Sequence, residues 1–312
     1  MSTLEASPPQ TAPRVRNRST RLQRMQTRLA WKMLAPAIVL VGLVAVYPLC
    51  ETIYQSFTNQ QFLGGISPTR WVGLANYRHL IHDAVFAQSI WTTVKFSLIT
   101  VSFELVLGMM VALVVNSNFK GRGVMRAVML IPWAIPTVIS AQMWKWMYDE
   151  VFGVVNDLLM RMHLIHHGVA WISQPSTALP SVCAVDIWKT TPFVALLLLA
   201  GLQVIPTELY EAADVDGASK LRQFRKITLP LIMPTILVAL IFRTLDALRV
   251  FDVFYVFFGS RPDTQTMAIY NQNQIVAVGN VGYGSAVSVA IFLVISLFVV
   301  IYITALRTRS DQ

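Results

Sequence analysis

Residues 286–304 run nineteen positions without a charged side chain. The hydrocarbon core of a bilayer takes about 20 apolar residues in one helix, so this run alone points the chain at a membrane. Five more stretches approach the same length and polarity: residues 34–54, 92–115, 124–147, 179–204 and 229–255. Charged residues make up only 13% of the 312 positions, against roughly 25% in soluble domains. That is too little charge to coat a water-soluble surface. The expected architecture is an all-α polytopic membrane protein with six transmembrane helices. Pro132, Pro136 and Pro192 fall inside the third and fourth runs, where neighbouring helices can satisfy the freed carbonyls.

Orientation follows from Lys and Arg in the connections. One side gathers Arg14, Arg16, Arg18, Arg21, Arg24, Arg28 and Lys32, then Lys120, Arg122 and Arg126, then Lys220, Arg222, Arg225 and Lys226, then Arg307 and Arg309. The other holds Arg70, Arg78, Arg161 and Arg261, so sixteen stand against four. Both termini are therefore expected in the cytoplasm. The net charge of +9 lies beside apolar runs, which suits membrane lipid and excludes a nucleic-acid surface. Residues 1–28 are expected to be a disordered basic cytoplasmic tail, and residues 29–312 the transmembrane domain. The first apolar run is too long for a secretory signal. Cys50 and Cys183 both sit in apolar surroundings, and are expected to be buried, inert thiols.

The outer connections, residues 55–88, 148–178 and 257–285, are longer. The first holds Gly64-Gly65 and Trp71-Val72-Gly73-Leu74-Ala75-Asn76-Tyr77; the second predicts a short amphipathic helix over residues 154–162. Such surfaces suit an external protein, or simply cap the bundle. His163, His166 and His167 lie in this region without nearby Cys or paired acids, so no metal site is expected.

Ionisable groups in hydrocarbon are costly and mark candidate sites. Arg243, Asp246, Arg249 and Asp252 alternate in sign at spacings of three within the fifth run. Neighbours at that spacing meet on a helix, so an internal ion-pair ladder is the plainer reading. In a continuous helix Asp252 would stand opposite Arg243, and one face could not carry all four to a ligand. The functional alternative has Asp246 or Arg249 hydrogen-bonding a polar substrate, with Trp133 and Phe251 against its apolar faces. Lys95, Lys145, Asp186 and Lys189 are expected to snorkel from helix ends, whereas Glu104 lies deeper and can pair across the bundle.

Between the fourth and fifth runs stands a polar island, Glu211-Ala212-Ala213-Asp214-Val215-Asp216-Gly217-Ala218, within residues 206–229. Thr207 can cap a helix starting at Glu208, and Gly217 predicts a bend. Residues 220–226 read as a basic amphipathic turn suited to an anionic leaflet. On these residues alone, a helix lying on the membrane and a surface gripped by a soluble partner stay open.

Glu211-Ala212-Ala213, Asp216-Gly217-Ala218, and Ile227 with Leu229-Pro230 together resemble the EAA loop of ABC-importer permeases. Further stretches are similar to sugar permeases of the MalF type: residues 72–77, Leu130-Ile131-Pro132-Trp133-Ala134-Ile135-Pro136, Trp144-Lys145-Trp146-Met147, Gly153-Val154-Val155-Asn156, and residues 245–252. Within that class the chain looks like permeases for trehalose and maltose, mycobacterial trehalose importers among them. One departure is Phe258-Gly259-Ser260-Arg261-Pro262, where the family often has Thr-x-Gly-Gly-Pro. The resemblance implies a type I ABC-importer permease fold, with Glu211, Ala212, Ala213, Asp216, Gly217, Ala218, Leu229 and Pro230 engaging the ATPase. It also implies a second permease subunit, two copies of an ABC ATPase that hold ATP and magnesium, an extracytoplasmic sugar-binding lipoprotein, and a sugar as substrate. The chain itself contains no Gly-x-x-x-x-Gly-Lys-Ser/Thr phosphate loop, so no cofactor is expected on it. The rival classes are an ion-coupled secondary transporter, which calls for symmetric halves, and a non-transporting membrane scaffold. An intramembrane enzyme would need a nucleophile or metal constellation that the sequence lacks.

Overall fold

Proline, glycine and a handful of buried charges decide where this chain departs from straight helices. The computed structural model describes residues 21–62 and 68–310, without the side chains of 21–24, 303 and 305–310. The expected tail at residues 1–20 and Gly64-Gly65 lie outside the described residues.

The chain divides into two units, Met1–Glu51 and Thr52–Gln312. In the first, helix α1 (Arg21–Val41) passes through a π turn, Gly42–Val46, into the helix Tyr47–Gln55. Its described side chains are all exposed or half-buried, because every face of the run is apolar and none is covered within the unit. Cys50 is therefore exposed, contrary to the sequence expectation, while Cys183 in the second unit is buried as expected.

The second unit is built on α2 (Ala84–Asn116), capped by Asp83, whose carboxylate accepts from the backbone N–H groups of Val85 and Phe86 at 2.9 and 3.1 Å. The third apolar run does not form one straight span. Short helices α3 (Arg122–Met129) and α4 (Ile131–Ala134) stop before Pro136, and α5 (Thr137–Met147) restarts at 88° to them. Proline disfavours the helical region for the residue before it, and Ile135 is extended at ψ 133°. Among the described residues, five helices are long and apolar enough to cross a membrane, six if this elbow is counted as one. The next span is α6 (Pro175–Leu202). Close approach of α2 and α6 depends on Gly108, where a methyl group would stand 2.8 Å from Val194 Cγ1. Small residues at helix crossings are how membrane helices gain packing.

A hairpin follows: α7 (Glu208–Val215), a turn at Gly217, and α8 (Lys220–Gln223). The basic stretch expected as a turn is instead helical, and runs through a π segment, Phe224–Thr228, straight into α9 (Leu229–Ala247). Gly201 on α6 abuts Thr235 on α9. Ala112, Val115, Val194, Leu198, Leu202 and Ile232 form the core there, with a second core around Phe96, Val182, Val185 and Phe254. The fifth run is not continuous either. It breaks over residues 248–251 and restarts as α10 (Asp252–Phe258). Thr266 Oγ1 donates to the Val250 carbonyl at 3.0 Å and Lys145 Nζ to that of Val256 at 2.7 Å. Side chains thus satisfy one carbonyl at the break and one at the far end of α10. The last span begins α11 (Val281–Ser310).

Candidate functional site

Two places concentrate the polar chemistry, the hairpin and a cavity at the far end of α9. In the hairpin, Gly217 adopts φ +70°. Its N–H donates to the Asp214 carbonyl at 3.1 Å and that of Ala218 to the Ala213 carbonyl at 2.9 Å. This pair of bonds is the Schellman closure of a helix, which asks for glycine at the left-handed position. The predicted bend is therefore a helix stop made by Gly217. Thr207 does stand before Glu208 but makes no side-chain cap, because its own backbone is helical. The two arms are clamped by side chains missed in the sequence. Asp214 Oδ1 accepts from Gln223 Nε2 at 2.5 Å and from Lys220 Nζ at 2.9 Å, and the Lys220 hydrogen bond leads in holding the Asp214 carboxyl below the usual carboxylate range. Tyr210 and Thr228 hydroxyls meet at 2.9 Å. Glu211, Ala212 and Asp216 are exposed, Ala213, Ala218 and Leu229 half-buried, and Pro230 exposed.

The cavity has a volume of about 430 Å³, within the range of about 300–1,000 Å³ for small-molecule sites. All four candidates for the substrate path, Trp133, Asp246, Arg249 and Phe251, line it. Arg243 and Asp252 line it too. The argument that one helix face could not present all four charges fails because the helix ends between them.

Of the ladder expected along the fifth run, the Arg243–Asp246 rung forms among the described residues, and it is part of a cluster across three helices. Arg243, 3% exposed, donates through Nε to Glu104 Oε2 at 2.6 Å and through Nη2 to Glu104 Oε1 at 2.9 Å and Asp186 Oδ2 at 3.1 Å. Its Nη1 binds Asp246. Thr190 Oγ1 donates to Glu104 Oε1 at 2.5 Å. Glu104 thus pairs across the bundle as its depth implied. Arg249 and Asp252 are exposed on the cavity wall and make no ion pair among the described residues. Asp186 and Lys189 do not snorkel: both lie mid-helix on α6, too far from either end. Lys189 Nζ donates to the carbonyls of Ile135 at 2.5 Å and Trp133 at 3.4 Å. Those are groups left at the elbow, so a lysine from α6 pins the bend.

Two rings of the wall, Trp133 and Phe251, are each backed by a second ring. Trp133 stacks on Phe193 with centroids 5.8 Å apart and Phe251 on Tyr255 at 5.3 Å. A cavity with charged acceptors and donors beside flat apolar rings can take a polyhydroxylated ligand, whose hydroxyls and C–H faces match both.

Residues 104–311 match the family of binding-protein-dependent transport system inner membrane components. The sulfoquinovosyl glycerol transport system permease protein SmoG of Agrobacterium fabrum is 42% identical over 283 residues, covering 90% of this chain and 91% of that protein. The trehalose/maltose transport system permease protein MalF of Thermococcus litoralis is 40% identical over 299 residues, covering 95% and 99%. Among solved structures, a chain of a bacterial ABC transporter involved in the import of the acidic polysaccharide alginate superimposes with a TM-score of 0.80. It is 25% identical, over 93% of this chain and 99% of that one.

Proposed function

The chain belongs to the binding-protein-dependent transport system inner membrane components, a multi-pass membrane permease and not an enzyme, and from that membership we propose that it is the permease subunit of an ATP-driven ABC importer for a sugar. The substrate is a disaccharide such as trehalose or maltose. Partners are a second permease, two copies of an ABC ATPase that bind ATP and magnesium, and an extracytoplasmic sugar-binding lipoprotein. Both termini and the hairpin face the cytoplasm, in keeping with the distribution of basic residues.

One observation carries this reading. The hairpin and the cavity stand at opposite ends of one helical run, residues 220–247, a length of about 42 Å at 1.5 Å per residue. An ATPase that grips α7 through Glu211, Ala212, Ala213, Asp216, Gly217 and Ala218 pulls on the helix bearing Arg243 and Asp246. Leu229 and Pro230 stand where the hairpin joins that helix. Asp246, Arg249, Trp133 and Phe251 offer hydroxyl partners and ring faces to the sugar in the cavity.

The test is purification of the tagged chain in mild detergent, with mass spectrometry of what accompanies it. Recovery of an ATP-binding subunit, a second permease and an extracytoplasmic lipoprotein is expected, and the sugar held by the lipoprotein names the substrate. An intact chain that repeatedly purifies alone overturns the importer.

A further inference from the structure

Resting on the reading of the cavity as a sugar path, we infer that its charges select uncharged sugars and exclude anionic ones such as uronates and sulfonated sugars. Three acids, Asp186, Asp246 and Asp252, and three bases, Lys189, Arg243 and Arg249, line the cavity. Equal numbers hide an unequal availability. The Arg243 guanidinium is fully engaged, with Glu104, Asp186 and Asp246 around it. Lys189 is held by the two carbonyls of the elbow. Arg249 is the remaining base, and Asp252 offsets it, each exposed on the wall and without an ion-pair partner among the described residues.

Asp246 tips the balance. Its side chain is 68% exposed although one oxygen binds Arg243, so the cavity meets carboxylate oxygen rather than guanidinium. Glu104, fully buried behind Arg243 and outside the lining, helps to neutralise that guanidinium, so the charges exposed to the cavity are Asp246 and Asp252 against Arg249. Sugar hydroxyls donate well to such oxygens, since a charged acceptor makes the stronger hydrogen bond. A carboxylate or sulfonate on the sugar brings like charge against Asp246 and Asp252 in a space walled by apolar rings, where repulsion is little screened. Anion recognition asks for free arginine forks; the buried Arg243 fork is closed by three carboxylates, and the open Arg249 fork faces two exposed carboxylates, Asp246 and Asp252.

The test reads cavity charge without the binding protein. Thr137 lines the cavity, so a Thr137→Cys variant carrying Cys50→Ser is purified with its partner subunits. It is then labelled with cationic and anionic methanethiosulfonate reagents; the buried Cys183 stays out of reach. Relative to a small free thiol, the cationic reagent is expected to react faster by on the order of tenfold, and Asp246→Asn with Asp252→Asn brings the ratio toward unity. A ratio at or below that of the free thiol, or one that both substitutions leave unchanged, overturns the inference. The same is done with Val250→Cys, and a thiol that no reagent reaches at either position removes the cavity and the inference together. Protection by trehalose or maltose, measured with an uncharged reagent, reports separately on the sugar path. Its absence beside a high cation preference sinks the sugar reading alone, whereas protection beside no preference sinks the charge selection alone.

Discussion

Arg243 Nε and Nη2 reach both carboxylate oxygens of Glu104, 139 positions earlier in the chain, at 2.6 and 2.9 Å. Arg243 is 3% exposed and Glu104 fully buried. Removing one partner of a buried pair strands the other charge and costs about 3–5 kcal/mol. Arg243→Met strands three carboxylates at once and is the more damaging change; Glu104→Gln keeps the shape and leaves Asp186 and Asp246 on the guanidinium. The unfolding midpoint of the purified complex is expected to fall in both, further for Arg243→Met. Two variants as stable as the parent would show that the cluster contributes nothing.

Gly217 at φ +70° tests the hairpin. Nothing lies within 4 Å of a Cβ placed there, so the penalty of a first side-chain carbon comes from backbone conformation, about 1–2 kcal/mol. Gly217→Trp is expected to insert in the membrane yet lose uptake. Asn tolerates the left-handed region, so Gly217→Asn is expected to retain part of the uptake. Normal uptake by a stably inserted Gly217→Trp protein would end the coupling role of this turn.

Lys189 holds the elbow through the carbonyls of Ile135 and Trp133. Lys189→Met removes a charged donor from two part-buried carbonyls, a loss of about 1–3 kcal/mol, or a few degrees in unfolding temperature. Lys189→Arg keeps donors in reach and is expected to lose less. Equal losses in the two variants would assign the effect to packing instead.

Tyr270 carries a pH signature. Burial, then its hydrogen bond to Asp83, pushes the phenol up to about 12, above the ordinary value near 10. A group raised in the folded state adds stability that is complete below the unfolded value and lost as pH rises through the folded one. Stability is therefore expected to fall between about pH 10 and about pH 12. Tyr270→Phe should make that fall shallower but leave the share of Tyr148, also raised to about 12 by burial. An unchanged alkaline slope in Tyr270→Phe would refute the contribution.

Much of this was legible in sequence because length and polarity are local properties. The long spans, the helix starting at Glu208, the bend at Gly217 and the cavity positions of Trp133, Asp246, Arg249 and Phe251 all follow from composition, motif or resemblance. What escaped depends on partners distant in sequence. Pro136 becomes an elbow rather than a point within one span, and Lys189, 54 positions from Ile135, donates to the Ile135 carbonyl there. Lys189 and Asp186 did leave a signal. Each sits at least eleven residues from either end of α6, about 16 Å along the axis, beyond comfortable snorkelling. The phase argument for the four charges assumed an unbroken helix, and the break at residues 248–251 depends on tertiary contacts such as Thr266 with Val250.

That break separates two jobs that an unbroken helix would force on the same residues. Along α9 each side chain is tied to a packing phase, so a new residue facing the cavity disturbs its neighbours in the bundle. Arg249, Val250 and Phe251 belong to neither α9 nor α10, yet all three line the cavity. Val250 and Phe251 also pack against the core around Phe254, so Arg249, exposed on the wall, is the position of the three where substitution re-lines the cavity and leaves that packing alone. On the proposed sugar path, the break is a place where the wall can change at Arg249 without redesigning the span beside it.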